Sequence, residues 1–383
     1  MATVIQDPAR GTNLGAAISN EFNQFETFHE IIKAAQNNVP RNAWDYMVGA
    51  AESETTLRRN RRGFDSLALR PRVLRDVSKI DRTVNFLGQK LRIPVMLAPI
   101  GSLQSLCPEE GSLAQARGAE RFGTISILSS VTWPNIDEVA KQTKHPKIFQ
   151  LYVRGDDQWV DDHAKKAIDL GYVAFCFTVD SAIYGRRERD IIKRYRPNAR
   201  TALDQRAPVY QAGLSWKDIA RFKKLYPSIP VVLKGIATAE DAKMAVEHGV
   251  EVVYVSNHGG RQLDHGRGSI EVLPEVVDAV KSKALVVMDG MVNRGTDVVK
   301  AMCLGANAVA IGRLYGYGLA AAGAAGVNRV LEIMETEITV AMANCGVTSF
   351  AELDSSFVCK AEPVCEPHVF SAFPHLNINL GDY

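Results

Sequence analysis

The sequence predicts an α/β fold: one (β/α)8 barrel of the TIM type, with an N-terminal helical segment, a long lid loop after the fourth strand and a C-terminal tail. Three observations carry that prediction. Eight short β-branched runs recur along the chain, amphipathic segments separate them, and almost every run ends in a polar or ionisable residue. A chain of 383 residues could hold two domains, but barrels with terminal additions reach this size as one unit. We expect a single domain over 1–383, with helices at about 22–66, the barrel at about 85–345 and a tail at about 350–383.

Each element has its own signal. Residues 22–66 carry apolar residues at helical steps and are expected to pack across one end of the barrel. The strand runs follow in order: IPVMLAP (93–99), ISILSS (125–130), KIFQLYV (147–153), YVAFCFTVD (172–180), PVVLKG (230–235), VVYVSN (252–257), ALVVMDG (284–290) and AVAIGR (308–313). Their near-continuous apolar character fits strands buried on both faces. Between them NIDEVAKQT, DDQWVDDHAKKAIDL, TAEDAKMAVEH and GTDVVKAMCL place apolar residues at three- and four-residue steps behind Asp, Thr or Asn starts, which predicts helices. The spacing breaks once, between Asp180 and Pro230, where RRERDIIKRYRPNARTALDQRAPVYQAG is far longer than an ordinary βα loop and reads as a lid. The tail, with Pro363, Pro367 and Pro374, is expected to wrap the surface or a neighbouring subunit.

Composition excludes several classes. A formal charge of +2 and 46% hydrophobic residues give neither a nucleic-acid footprint nor a disordered chain. The densest basic stretch, RRNRRGFD (58–65), reads as a solvated helix end or loop. Cys107, Cys176, Cys303, Cys345, Cys359 and Cys365 are scattered, with no CxxC and no histidine at metal spacing, which predicts a reducing compartment and no metal site. MATVIQDPARGTN lacks a signal pattern, no 18-residue apolar span exists, and the closing GDY is no targeting tripeptide. The expectation is a soluble cytoplasmic protein without membrane or nucleic-acid partners.

Chemistry in a parallel barrel sits at the C-terminal ends of the strands. This chain places there Pro99-Ile100-Gly101, Ser129, Gln150 and Tyr152, Thr178 and Asp180, Lys234, His258 and Arg261, Asp289, and Gly312-Arg313. Gly312-Arg313 and the Gly290 turn stand where barrels commonly hold phosphate. Arg261 and Arg187 each offer a fork of donors to a carboxylate. A histidine between an aspartate and the substrate space can serve as a base, because the carboxylate stabilises the imidazolium that forms.

The run SNHGGRQLD, together with DYMVGAAESETTL, FQLYV, TVD followed by GRRERD, LKGI, DGMVNRGTDVVKA and IGR, resembles the FMN-dependent α-hydroxy acid oxidase and dehydrogenase family, which includes glycolate oxidase and lactate oxidase. The resemblance spans roughly residues 25–355. It implies an FMN at the barrel mouth, with Pro99, Ile100 and Gly101 beside its reactive nitrogen and Ser129, Gln150 and Thr178 on its ring and ribityl chain. Lys234 would stand where negative charge collects on the reduced flavin. Ser256, Asp289, Gly290, Asn293, Gly312 and Arg313 complete the implied cofactor set. For the substrate, a small 2-hydroxy acid, it implies Arg261 and Arg187 on the carboxylate with Tyr46, Tyr152 at the hydroxyl, His258 as base and Asp180 as its partner. Whether His258 takes the α-proton or the hydroxyl proton stays open.

Three positions depart from the family. Where it reads DGG, an aliphatic residue and Arg, this chain reads Asp289-Gly290-Met291-Val292-Asn293, so a phosphate arginine is lost. FMN is then expected on Arg313 and backbone amides, with Arg294 in partial compensation. Val131 replaces the aromatic of glycolate oxidases, which opens the substrate pocket, with Trp133 positioned to refill part of it. Gly101 matches lactate monooxygenase, where many oxidases carry alanine. The expected activity is oxidation of an (S)-2-hydroxy acid with dioxygen giving hydrogen peroxide. Decarboxylating monooxygenation, dehydrogenation with a quinone or cytochrome, and a non-catalytic FMN- or carboxylate-binding barrel are the alternatives. A homo-oligomer, a tetramer by family analogy, is expected.

Overall fold

The computed structural model describes residues 25–196 and 207–376. MATVIQDPARGTN, positions 22–24, the middle of the lid excursion and the closing GDY lie outside the described residues. The strands there are β1 (Leu67–Leu69), β2 (Val84–Phe86), β3 (Gln89–Leu91), β4 (Val95–Leu97), β5 (Ser126–Ser129), β6 (Lys147–Leu151), β7 (Ala174–Thr178), β8 (Val231–Ile236), β9 (Val252–Val255), β10 (Leu285–Met288), β11 (Ala308–Ile311) and β12 (Val358–Lys360). Strands β4 to β11 close into a parallel barrel in sequence order, sealed where Val309 of β11 pairs with Val95 of β4. All eight runs read from the sequence supply a barrel strand.

The continuous apolar runs divide by the two-residue period of a strand. Met96, Ile127, Ile148, Cys176, Val232, Tyr254, Val287 and Ala310 belong to one buried cluster inside the barrel. Their neighbours Leu97, Leu128, Phe149, Phe177, Leu233, Val253, Met288 and Ile311 join a second cluster under the surrounding helices. The hairpin β2–β3 adds Phe86 and Leu91 to the inner cluster. Sequence reading missed this hairpin because its turn is Leu87-Gly88, both at positive φ (49° and 73°), rather than the Asn-Gly pair that usually marks one.

The helices start where the sequence places their caps. Asn135, Asp156 and Thr238 each accept a bond from the backbone at the start of the helices Ile136–Gln142, Asp157–Asp169 and Ala239–Glu247. At the N-terminal side Thr27 and Glu30 form a capping box on the helix Phe28–Asn38, followed by Arg41–Val48 and Thr55–Asp65. RRNRRGFD forms the later turns of Thr55–Asp65, and it is not wholly a solvated face. Arg61 is buried, bonding Asp297 through both terminal nitrogens at 2.7 and 2.9 Å. Its helix face packs on the loop after β10, so a guanidinium there needs a carboxylate partner.

The tail folds back on its own chain. β12 pairs antiparallel with β1, and Phe370 stacks on Trp44 at 5.8 Å. Phe373 meets Phe28 edge-on. The lid excursion contributes the short helices Glu188–Ile192 and Ala207–Gly213 before the barrel helix Trp216–Leu225. Among the described residues no helix is long and apolar enough to cross a membrane.

Candidate active site

The strand ends open onto a cavity whose walls include Tyr46, Pro99, Ile100, Gly101, Tyr152, Arg187, Lys234, His258, Arg261, Asp289, Gly290, Asn293, Gly312 and Arg313. Just after β9 the chain turns through His258–Gly260, with φ of 59°, 63° and 78° at the three residues. Both glycines suit the positive φ, and at Gly260 backbone crowding requires one as well. A Cβ on Gly259 would stand 2.6 Å from Arg313 Nη1, and one on Gly260 would stand 2.6 Å from the Leu57 backbone nitrogen. His258 has no such escape and is held in left-handed backbone, a conformation that costs about 1–2 kcal/mol. Asn60 and Asn257 brace the turn by exchanging amide bonds at 2.9 and 2.7 Å.

Held there, the imidazole bridges two partners. Its Nδ1 lies 2.9 Å from Asp180 Oδ1 and its Nε2 lies 3.1 Å from the Tyr152 hydroxyl. Gly235, at φ 120°, makes room for that aspartate, since a Cβ there would come within 2.7 Å of Asp180 Cβ. Burial opposes the charge on Asp180, but His258, Lys234 and its hydrogen bonds outweigh burial and hold the carboxyl at about 2. An ionised Asp180 can only accept, so Nδ1 carries the ring proton and Nε2 presents its lone pair. Burial lowers the pKa of His258 below its ordinary value against the raising effect of Asp180, so the ring is neutral at pH 7. Burial, with the charge of Asp180, pushes Tyr152 far up, leaving its hydroxyl a donor to Nε2.

The carboxylate end is cationic. Arg261 Nη1 donates to the carbonyls of Tyr46 and Gly49 at 2.7 Å each, and its guanidinium lies 4.8 Å from the Tyr46 ring centre. Arg187, 4% exposed, keeps Nη1 buried without a hydrogen-bond partner. Burial and the nearby Arg187 both lower the pKa of Arg261. A buried guanidinium and a half-buried one side by side, with donor capacity left on Arg187, form a receptor for an anion.

The residues assigned to FMN fit it. Both amide atoms of Gln150, Thr178 Oγ1, Asn293 Nδ2 and Arg313 Nε are buried without a hydrogen-bond partner. Orphans of this kind cost about 1–3 kcal/mol each, which a polar cofactor edge would offset. Lys234 donates to Ser256 Oγ at 2.8 Å, and Ser256 donates to Asp289 at 2.7 Å, with Tyr254 donating to the same carboxylate at 3.0 Å. Burial opposes the charge of Lys234, but Asp289 and Asp180 raise its pKa, so it stays a cation. Ser129 is buried beside Ser130 at the end of β5. Burial and the charge of Arg261 bring Arg313 down to about 9, a surplus of positive charge that a phosphate would relieve. Among the described residues no cluster of His, Cys, Asp or Glu could hold a metal.

Two expected compensations are absent. Arg294 pairs with Glu337 at 2.5 Å and lies over the Phe28 ring, so it faces away from the cavity. Trp133 is 54% exposed and does not line the cavity, whereas Val131 does. Met291 stands where the family carries glycine and takes the glycine-like φ of 62°. Its buried side chain holds it there, and Asp297 fixes the loop by accepting from the Asn293 and Arg294 amides at 3.0 Å each.

Other residues of the site escaped sequence reading. Gln211 accepts from Val153 N at 2.7 Å and donates to the Thr178 carbonyl at 2.8 Å, tying the lid to the rims of β6 and β7. No periodic signal marks it. Tyr184 lines the cavity three residues before Arg187, and Asn60 lies on a helix far upstream.

Known proteins carry the same plan. The model of the FMN-dependent dehydrogenase family matches residues 35–360. An L-lactate oxidase of Nostoc sp. is 38% identical, over 89% of this chain and 99% of its own. Glycolate oxidase of Spinacia oleracea is 40% identical, over 85% and 93%. Among solved structures, a soluble mutant of the membrane-associated (S)-mandelate dehydrogenase from Pseudomonas putida superposes with a TM-score of 0.81 at 32% identity, covering 87% of this chain and 99% of that one. With the barrel, the unpartnered polar groups and these matches together, the chain belongs to the FMN-dependent dehydrogenase family of 2-hydroxy acid oxidases and dehydrogenases.

Proposed function

We propose that the chain oxidises an (S)-2-hydroxy acid to the 2-keto acid, with dioxygen as final acceptor and hydrogen peroxide as the second product. One observation carries the reading: a neutral His258, oriented by Asp180 and with Tyr152 on its Nε2, lines a cavity that Arg187 and Arg261 make receptive to a carboxylate. When bound, FMN supplies the two-electron acceptor and its reoxidation by dioxygen. Arg187 and Arg261 would hold the substrate carboxylate, and Tyr46 and Tyr152 would flank it. His258 Nε2 then takes a proton from the bound acid, and Asp180 stabilises the imidazolium. Pro99 to Gly101, Ser129, Gln150, Thr178, Lys234, Ser256, Asp289, Gly290, Asn293, Gly312 and Arg313 would hold the flavin.

The cavity lining includes the apolar residues Met47, Ile100, Leu106 and Val131, which we assign to the substrate side chain. A hydrogen, as in glycolate, would leave those walls unmatched, so a branched or aromatic side chain is the better occupant. A homo-oligomer in the cytoplasm completes the proposal. The family resemblance supports the first, and six cysteines with no disulfide among them support the second.

The test uses FMN-loaded protein and a panel of glycolate, lactate, 2-hydroxy-4-methylpentanoate and mandelate. Anaerobic addition of the larger acids should bleach the flavin absorbance faster than glycolate does, and air should restore it with peroxide formed one for one. His258→Ala should abolish bleaching at unchanged flavin content. Carbon dioxide in place of peroxide would make it a monooxygenase, and restoration only by a quinone would make it a dehydrogenase. Bleaching by none of the acids would sink the proposal.

A further inference from the structure

The two arginines of the anion receptor are held in different ways. Arg261 is anchored by short bonds to two backbone carbonyls, at 2.7 Å each. Among the described residues the Arg187 side chain shows one hydrogen bond, from Nε to the Arg261 carbonyl at 3.4 Å, while burial opposes its charge and the Tyr184 and Tyr46 rings and the Asp190 carboxylate favour it. It is nevertheless buried, with a like charge beside it. A single bond of that length does not fix the plane of its guanidinium.

Two rings lie against it. The Arg187 guanidinium carbon stands 4.2 Å from the Tyr184 ring centre and 5.6 Å from that of Tyr46. The closer contact is at stacking distance, and an aromatic face attracts a desolvated guanidinium through its quadrupole. Tyr46 lies against both guanidiniums, and Tyr184 gives Arg187 its closer ring. The loop backbone sets this up. Gly185 donates to Gln262 Oε1 at 2.9 Å, and a Cβ on it would meet the Arg261 carbonyl oxygen at 2.5 Å. The lid loop thus runs tightly against the chain after β9, which brings Tyr184 and Arg187 to the same cavity wall.

We propose that Tyr184 is a positioning residue for carboxylate recognition, its ring face holding the Arg187 guanidinium in the orientation that receives the substrate. The inference rests on the 2-hydroxy acid reading above. It makes the ring face, rather than the hydroxyl, the active feature.

The experiment uses the FMN-loaded enzyme with 4-methylpentanoate and its neutral amide 4-methylpentanamide as unreactive probes, read through the perturbation of the flavin spectrum. Tyr184→Leu should raise the Kd of the carboxylate about tenfold and leave that of the amide unchanged, because only the charged probe needs the guanidinium. In turnover KM should rise with kcat within about threefold. Tyr184→Phe, which keeps the ring face, should stay within about twofold of wild type on both probes. Equal weakening of acid and amide would reduce Tyr184 to a wall of the pocket and overturn the inference, as would no change in either. A Tyr184→Phe variant as weak as Tyr184→Leu would overturn it in favour of the hydroxyl. Wild-type enzyme that oxidises 2-hydroxy acids while Tyr184→Leu is unaltered would sink this inference alone; wild type inert to all of them would sink the functional reading with it.

Discussion

The two ends of the cavity are built on different principles. At the base end each buried charge has a protein partner: His258 with Asp180 at 2.9 Å, and Lys234 with Ser256 at 2.8 Å and Asp289 at 3.5 Å. At the end assigned to phosphate, among the described residues Arg313 donates to the carbonyls of Gly259 and Gly49, at 3.0 and 2.7 Å, and its Nε and Asn293 Nδ2 have no partner. On the proposed reading the base end is largely paired within the chain, while the end assigned to the flavin phosphate is completed by its ligand. Damage at the first should therefore stop chemistry in a loaded enzyme, and damage at the second should empty it.

The sharpest way to break that contrast is Asp180→Asn. The substitution removes the charge that stabilises the imidazolium and the strict acceptor that fixes the ring tautomer. We expect kcat to fall about 10³-fold with FMN content unchanged, measured by steady-state assay and by flavin absorbance per chain. Loss of flavin in parallel would mean the two ends are coupled. The wild-type pH profile belongs to the same test. His258 must be neutral to act, and its pKa lies below the ordinary 6.5, so kcat/KM should hold steady from pH 8 to 6.5 and fall only in more acid solution. Without the carboxylate, the raising influence on His258 is gone, so the acid limb of Asp180→Asn should move to still lower pH.

The same contrast explains what could be read from the sequence. The barrel was legible because its strands are buried on both faces and declare themselves as apolar runs such as VVYV and ALVVM. The base end was legible because its residues stand at strand ends and inside recognisable motifs: His258 and Arg261 in SNHGGRQLD, Asp180 in TVD and Lys234 in LKGI. What escaped depends on packing between distant segments. Nothing near Asn60 announces its amide exchange with Asn257, and Gln211 takes its role from reaching across two strand rims. Arg294 misled because a match to a basic position of the family does not say which way a side chain turns, and Glu337 on the long helix Arg313–Cys345 draws it away. The hairpin β2–β3 hid behind Leu87 in a left-handed turn.

At the end assigned to phosphate, Arg313→Met should raise the Kd of FMN about 10²-fold, since it removes the guanidinium assigned to the phosphate. Titration of apoprotein by flavin fluorescence quenching measures it, and kcat at saturating FMN should change far less than Kd. The smaller and more discriminating change adds charge. Asn293 is 3% exposed, lines the cavity and leaves its amide nitrogen unpaired, so Asn293→Arg places a guanidinium where one neutral donor now stands. A charge-assisted bond is worth about 1.5–3 kcal/mol against about 0.5–1.5 for a neutral one, so the net gain is about tenfold in FMN affinity. Riboflavin, which lacks the phosphate, should bind the variant no better than wild type. The apoprotein should melt at a lower temperature, because a second cation near Arg313 repels it until the anion arrives. Riboflavin tightening alongside FMN would assign the gain to packing, and the division of the cavity into a self-paired end and a ligand-completed end would lose its electrostatic basis.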